Sequence, residues 1–119
     1  MKIEILAVQG HGDQKVEVAT FKVLADCDIG RYALFDSSYT AQGSCSNKVR
    51  HTYWFPDGPV KAGDYVFLHT GVGQATQIRN TQGTMNHHYY WGLGIPVWND
   101  KGDFATLIEI STYKSKKVA

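Results

Sequence analysis

Two runs decide the fold: residues 51–73, HTYWFPDGPVKAGDYVFLHTGVG, and residues 87–109, HHYYWGLGIPVWNDKGDFATLIE. In both, aromatic, aliphatic and β-branched residues form short pieces separated by turn chemistry. Pro56-Asp57-Gly58-Pro59, Lys61-Ala62-Gly63-Asp64 and Asn99-Asp100-Lys101-Gly102 supply it, because proline fixes φ and glycine accepts the positive φ that other residues resist. The runs read as strand, turn, strand, then a long loop, then strand, turn, strand. From 48 to 55, alternation puts Lys48, Arg50, Thr52 and Trp54 on one face and Val49, His51, Tyr53 and Phe55 on the other. Residues 65–70 are apolar on both faces, which predicts a central strand covered on both sides. In 103–110, Ala105 and Leu107 face one way, while Phe104, Thr106 and Ile108 face the other. Trp98 is assigned to the core.

Working outward, residues 2–8 form a strand with Ile3 and Ile5 opposite Glu4, and the Gly10-His11-Gly12-Asp13 cluster turns the chain. Residues 14–24 begin with Val16 and Val18 in one phase and continue with Phe21 and Val23 in the other. That slip predicts a bulge near Ala19 or Thr20. Residues 31–36 are a strand with Tyr32 and Leu34 on one side. Residues 37–47 read as a surface loop. Residues 71–86, polar and glycine-containing, read as a long loop of the kind that carries function. The tail, 111–119, alternates Tyr113 with polar residues and carries lysines at 114, 116 and 117, which predicts an edge strand protected against pairing. About eight short strands with regular turns point to an all-β sandwich or barrel.

At 119 residues the chain is one domain, 1–119, long enough to bury a core without staples. Its net charge of +1, with acids and bases interspersed, creates no field that would gather polyanions. The opening MKIEILAVQG is not a secretory signal, and no run approaches the roughly twenty apolar residues of a membrane span. The expectation is a cytoplasmic protein with no membrane insertion. Cys27 and Cys45 are expected to be reduced thiols.

The motifs searched for chemistry give bland readings. His87 and His88 are strand neighbours pointing to opposite faces, so they are badly placed to share an ion, and no HxH or HExxH spacing appears among His11, His51, His69, His87 and His88. No metal and no cofactor are expected. Asp100 with Asp103, and Asp26 with Asp28, read as turn caps rather than as calcium ligands or a glycosidase pair. Gly71-Val72-Gly73 lacks the lysine and hydroxyl of a phosphate loop, and no serine sits in a GxSxG elbow. No catalytic residue is assigned. The aromatics stand out, with Tyr89 and Trp91 on one face of their segment and His88 and Tyr90 on the other. Trp54, Tyr89, Tyr90 and Trp91 are the candidate binding residues.

Asp28-Ile29-Gly30-Arg31-Tyr32-Ala33-Leu34-Phe35-Asp36, Phe55-Pro56, Ala62-Gly63-Asp64-Tyr65-Val66 and Val97-Trp98-Asn99-Asp100 followed by Gly102-Asp103 and Leu107 resemble, in order and spacing, the lamin tail domain. The resemblance implies an immunoglobulin-like β-sandwich of two antiparallel sheets, here a stand-alone member of prokaryotic or phage type. It also implies a non-catalytic binding or assembly module whose partner is another protein, with nucleic acid a weaker expectation. The alternatives are a carbohydrate-binding module using exposed aromatics and, last, a small hydrolase. The sequence leaves the partner's identity and the oligomeric state open.

Overall fold

The computed structural model describes residues 1–39, 45–98 and 103–119, without the side chains of 38, 39 and 45–49. Ten strands occur among the described residues: β1 (Ile3–Gln9), β2 (Val18–Val23), β3 (Cys27–Asp28), β4 (Tyr32–Tyr39), β5 (Cys45–Trp54), β6 (Pro59–Val60), β7 (Tyr65–His69), β8 (Thr76–Arg79), β9 (Met85–Tyr90) and β10 (Phe104–Glu109). A 3-10 turn, Ile29–Arg31, joins β3 to β4, and Asp28 Oδ1 caps it by accepting from the Gly30 amide at 2.8 Å. The described residues are all-β, as expected, with ten strands against the expected number of about eight.

The strands form a five-stranded sheet in the order β1-β2-β7-β9-β8, a three-stranded sheet β10-β4-β5 and a ribbon β3-β6. The expectation of wholly antiparallel sheets fails at one pair: β7 and β9 run parallel, Tyr65 beside Asn86 through His69 beside Tyr90. The cause is a third strand in the connection. Leaving β7, the chain passes out to edge strand β8, and β9 returns between the two, so that it opposes β8 and matches β7 in direction.

Strand alternation sends Ala19, Phe21 and Val23 of β2, Val66 and Leu68 of β7, and Tyr89 of β9 inward. They share one core with Tyr32 and Leu34 of β4, Leu107 of β10, and Phe55, Val97 and Trp98. Phe55 is the hub, edge-on to Phe21, Tyr53 and Tyr89 at 5.9, 5.0 and 5.3 Å. Burying each such side chain contributes about 1.5–3 kcal/mol. Trp98 is buried as assigned, and β7 is central in its sheet as expected but covered on one side only: Val66 and Leu68 are buried, whereas Tyr65, Phe67 and His69 face outward and are half-buried.

Four local expectations need correction. The phase slip at 14–24 is not a bulge in β2: Val16 lies in the turn before it, and the extra residue is Leu6 in β1, where Ile5 pairs with Phe21 but Ala7 with Thr20. The loop assigned to 37–47 is mostly sheet, since β4 runs to Tyr39 and β5 starts at Cys45; residues 40–44 lie outside the described residues. The loop assigned to 71–86 holds β8, the β8–β9 turn and the start of β9. The tail 111–119 is not a strand: β10 ends at Glu109, and Tyr113 turns edge-on to Trp54 at 4.8 Å. The Asn99–Gly102 turn also lies outside the described residues.

Candidate functional site

Inward placement of Val66, Leu68, His87 and Tyr89 dictates what faces out. The parallel register of β7 and β9 then sets Tyr65, Phe67 and His69 beside Asn86, His88 and Tyr90 in two outward rows. Four of these rings stack in a zigzag. Phe67 and His88 lie 4.9 Å apart at 13°, His88 and His69 5.2 Å apart at 17°, and His69 and Tyr90 4.5 Å apart at 13°. Within the stack His69 Nε2 and His88 Nδ1 are hydrogen-bonded at 3.0 Å. Burial, and secondarily a neighbouring imidazole, pushes both histidines below their ordinary pKa, so the neutral rings are favoured.

The Gly73 backbone closes the Tyr90 end, because a Cβ there would lie 2.4 Å from the Tyr90 ring. Lys22 of β2 sits 6.0 Å from the Tyr65 ring centroid. Two shallow depressions adjoin the stack. One, of about 250 Å³, is lined by Ala75, Thr76, Gln77, His88 and Tyr89. The other, of about 260 Å³, is lined by Tyr65, Phe67, Asn80, Thr81, Gln82 and Asn86. The β8–β9 turn that walls the second is held by Asn80, whose Oδ1 accepts from the amides of Gln82 and Thr84 and whose Nδ2 donates to Thr84 Oγ1 and Asn86 Oδ1. Gly83, at φ 84°, completes that turn.

The four aromatics nominated from the sequence are not brought together. Tyr90 belongs to the outer stack. Tyr89 is 9% exposed and packs on Phe55 in the core. Trp91 lies at the core margin against Tyr53, His51 and Trp98. Trp54 is 47% exposed on the three-stranded sheet, its Nε1 donating to the Gly30 carbonyl at 2.8 Å. Sequence reasoning missed Phe67 and His69. Their alternation was visible, but the adjacency of β7 and β9 was not, since residues 71–86 read as a loop.

Carboxylates and histidines elsewhere hold the chain together. Asp64 accepts from His87 Nε2 at 2.8 Å and from the amides of Lys61 and Met85 at 3.0 Å each. Burial would raise its pKa, but these hydrogen bonds outweigh that and leave it below the carboxylate range. The other ring nitrogen of His87 is buried with no hydrogen-bond partner among the described residues. Asp36, opposite the bulge at Arg50 and His51, accepts from the His51 amide at 2.7 Å and lies 2.8 Å from Arg50 Nη2, which also reaches Asp103. Asp26 and Asp28 cap turns, accepting from the amides of Ala62, Gly30 and Gly58. Cys27 is a free thiol raised by burial, whereas the side chain of Cys45 is outside the described residues. Among those residues no three His, Cys, Asp or Glu side chains converge as a metal site would require. Comparison with known proteins adds no assignment: no family model matches the chain, and no curated protein does.

Proposed function

We propose that this domain is a non-catalytic binding module, an immunoglobulin-like β-sandwich of the lamin-tail type, whose recognition surface is the outer face of the five-stranded sheet. The observation that carries the reading is the ring stack of Phe67, His88, His69 and Tyr90 beside two depressions. A row of aromatic and imidazole rings on the solvent side of a sheet costs solubility and contributes little to the core, which makes recognition its best rationale. The sandwich part of the reading rests on the core shared by the two larger sheets and on the motif order noted above. The titratable pairs support a module without chemistry, because Asp64, Asp36, Asp28 and Asp26 are all engaged by backbone amides.

The protein partner was implied by the lamin-tail resemblance, and the residues nominated for binding were Trp54, Tyr89, Tyr90 and Trp91. Their dispersal shifts weight to the ligand class that suits the stack. The test replaces Phe67 and Tyr90 singly by alanine, with Trp54→Ala as control. Heteronuclear spectra of the folded variants are then followed as candidate ligands are added. Perturbations clustered on β7–β9 and lost in Phe67→Ala are expected. A hydrolytic product that accumulates from a polysaccharide or ester panel and vanishes on substitution of His87 or His51 would defeat the reading.

A further inference from the structure

Resting on the binding-module reading, we infer that the twin depressions over β8 and β9 form two adjoining subsites for a neutral oligosaccharide. Each depression, about 250 and 260 Å³, is smaller than the roughly 300 Å³ at which pockets for drug-sized molecules begin. Each therefore suits one small ring, and the two together suit a chain of rings. Continuity comes from the stack: His88 lines the first depression, Phe67 the second, and the two rings lie 4.9 Å apart.

The lining chemistry selects the class. Tyr65, Phe67 and His88 supply flat apolar surface, onto which the C–H face of a pyranose packs. Thr76, Gln77, Asn80, Thr81, Gln82 and Asn86 supply hydroxyls and amides, which both donate and accept and so match sugar hydroxyls. No lining residue is formally charged at neutral pH, and Lys22, over the Tyr65 ring at 6.0 Å, stands at the margin and not in the lining, so a phosphorylated or sulfated ligand finds little counter-charge there. Asn86 to His88 of β9 are paired on both sides, so a peptide strand would have to pair with the open edge of β8 or with Tyr89 and Tyr90, which β8 leaves unpaired. The site is pre-organised: Asn80 holds its own turn and the Asn86 amide through hydrogen bonds of 2.8 to 3.1 Å, which lowers the ordering cost of binding.

Affinity electrophoresis of the full chain in gels containing soluble β-glucan, α-glucan, xylan or mannan tests this, with the matching hexaose titrated by NMR. Retardation by at least one neutral polysaccharide is expected, unchanged by salt. Phe67→Ala should weaken it roughly tenfold or more, from loss of one stacking surface. Gln82→Ala, at an exposed position that cannot unfold the domain, should weaken it less, and Trp54→Ala should leave it intact. Absence of retardation in all four gels together with silent β8–β9 resonances overturns the inference, as does retardation indifferent to both Phe67→Ala and Gln82→Ala. If a protein ligand shifts the β7–β9 resonances while the hexaoses do not, the oligosaccharide is wrong and the binding module stands. If the hexaose is cleaved, the binding-module reading itself falls.

Discussion

His69 Nε2 lies 3.0 Å from His88 Nδ1 across the parallel β7–β9 pair, with the two rings inclined by 17°. One nitrogen must donate and the other accept, so the contact survives with both rings neutral or one protonated, and fails when both are charged.

The stack should therefore weaken in mild acid. Burial and the adjacent imidazole hold both histidines below the unfolded value of about 6.5. Because the folded state binds protons less readily than the unfolded chain, their contribution is complete above that value and is lost as pH falls from it toward the folded pKa values. Urea midpoints measured between neutrality and pH 5 should fall for the natural protein and fall less steeply for a His69→Gln/His88→Gln variant. Parallel slopes would show that the pair does not titrate in this range. Asp64, also displaced downward, loses its contribution only as pH falls through the carboxylate range, below this window, and does not confuse the comparison.

Glu17 is 1% exposed, yet all four of its hydrogen bonds are to the protein: Thr70 Oγ1 and the Val97 amide on Oε1, Gly12 and Trp98 amides on Oε2, at 2.7 to 3.2 Å. It ties the entry to β2, the end of β7 and the segment holding Trp98 into one knot. Glu17→Ala leaves three amides and a hydroxyl unsatisfied, and should cost on the order of 3 kcal/mol or more. The melting temperature should then drop by roughly 10 °C or more. Glu17→Gln, which keeps the shape but only one good acceptor, should fall between. Red-shifted tryptophan emission in the folded Ala variant would show release of Trp98.

How far the chain could be read beforehand follows from what each feature depends on. Alternation is local, so the face-sharing pairs Phe21 with Val23, Tyr32 with Leu34 and Ala105 with Leu107 were legible, and so was Trp98 in the core, whereas the uniformly apolar 65–70 did not show that Val66 points in and Phe67 out. Asp26 and Asp28 were legible as caps for the same reason. The order of strands is not local. Residues 71–86 look polar because β8 is an exposed edge, with Ile78 its one large apolar residue, and an edge strand lacks the alternation that betrays a half-buried one. Missing β8 hid the insertion of β9 beside β7, and with it the meeting of Phe67, His69, His88 and Tyr90. Glu17 was equally silent, since a buried carboxylate satisfied by distant amides has no signature in sequence spacing.

Tyr32 joins the two ends of the chain. Its hydroxyl accepts from the Lys2 amide at 3.1 Å and donates to Glu109 Oε2 at 2.9 Å. Burial is the main reason its pKa is pushed up to about 12, with the Glu109 carboxylate adding to it. An acid raised on folding stabilises fully below its unfolded value of about 10 and loses that contribution as pH climbs through the folded one. Tyr32→Phe should cost about 1–2 kcal/mol at neutral pH by chemical denaturation. It should also remove the part of alkaline destabilisation that begins near pH 10 in the natural protein. A variant as stable as its parent at neutral pH would show the hydroxyl bonds to be neutral in balance.

Gly73 supports the ring stack from its closed end, and the support is steric. A side chain there would meet Tyr90 Cδ1 and Cε1 at 2.4 Å, and Tyr90 cannot retreat, because its other face lies on His69 at 4.5 Å. Gly73→Ala must therefore push the 71–75 segment outward or tilt the Tyr90 ring, at about 1–3 kcal/mol by the usual cost of overpacking. A tilt propagates, since Tyr90 shares a face with His69, His69 is hydrogen-bonded through its ring edge to His88, and His88 shares a face with Phe67, so the Phe67 side of the stack should register a change made at the Gly73 side. The measurement is the ring-current shift on the aromatic protons of Phe67 in the Gly73→Ala variant, beside the same shift in Tyr90→Leu, which removes the first ring outright. Displaced Phe67 signals in both are expected. Displacement in Tyr90→Leu alone would mean that the segment moved and the stack stayed rigid, and unmoved Phe67 signals in both would mean that the four rings do not act as a unit.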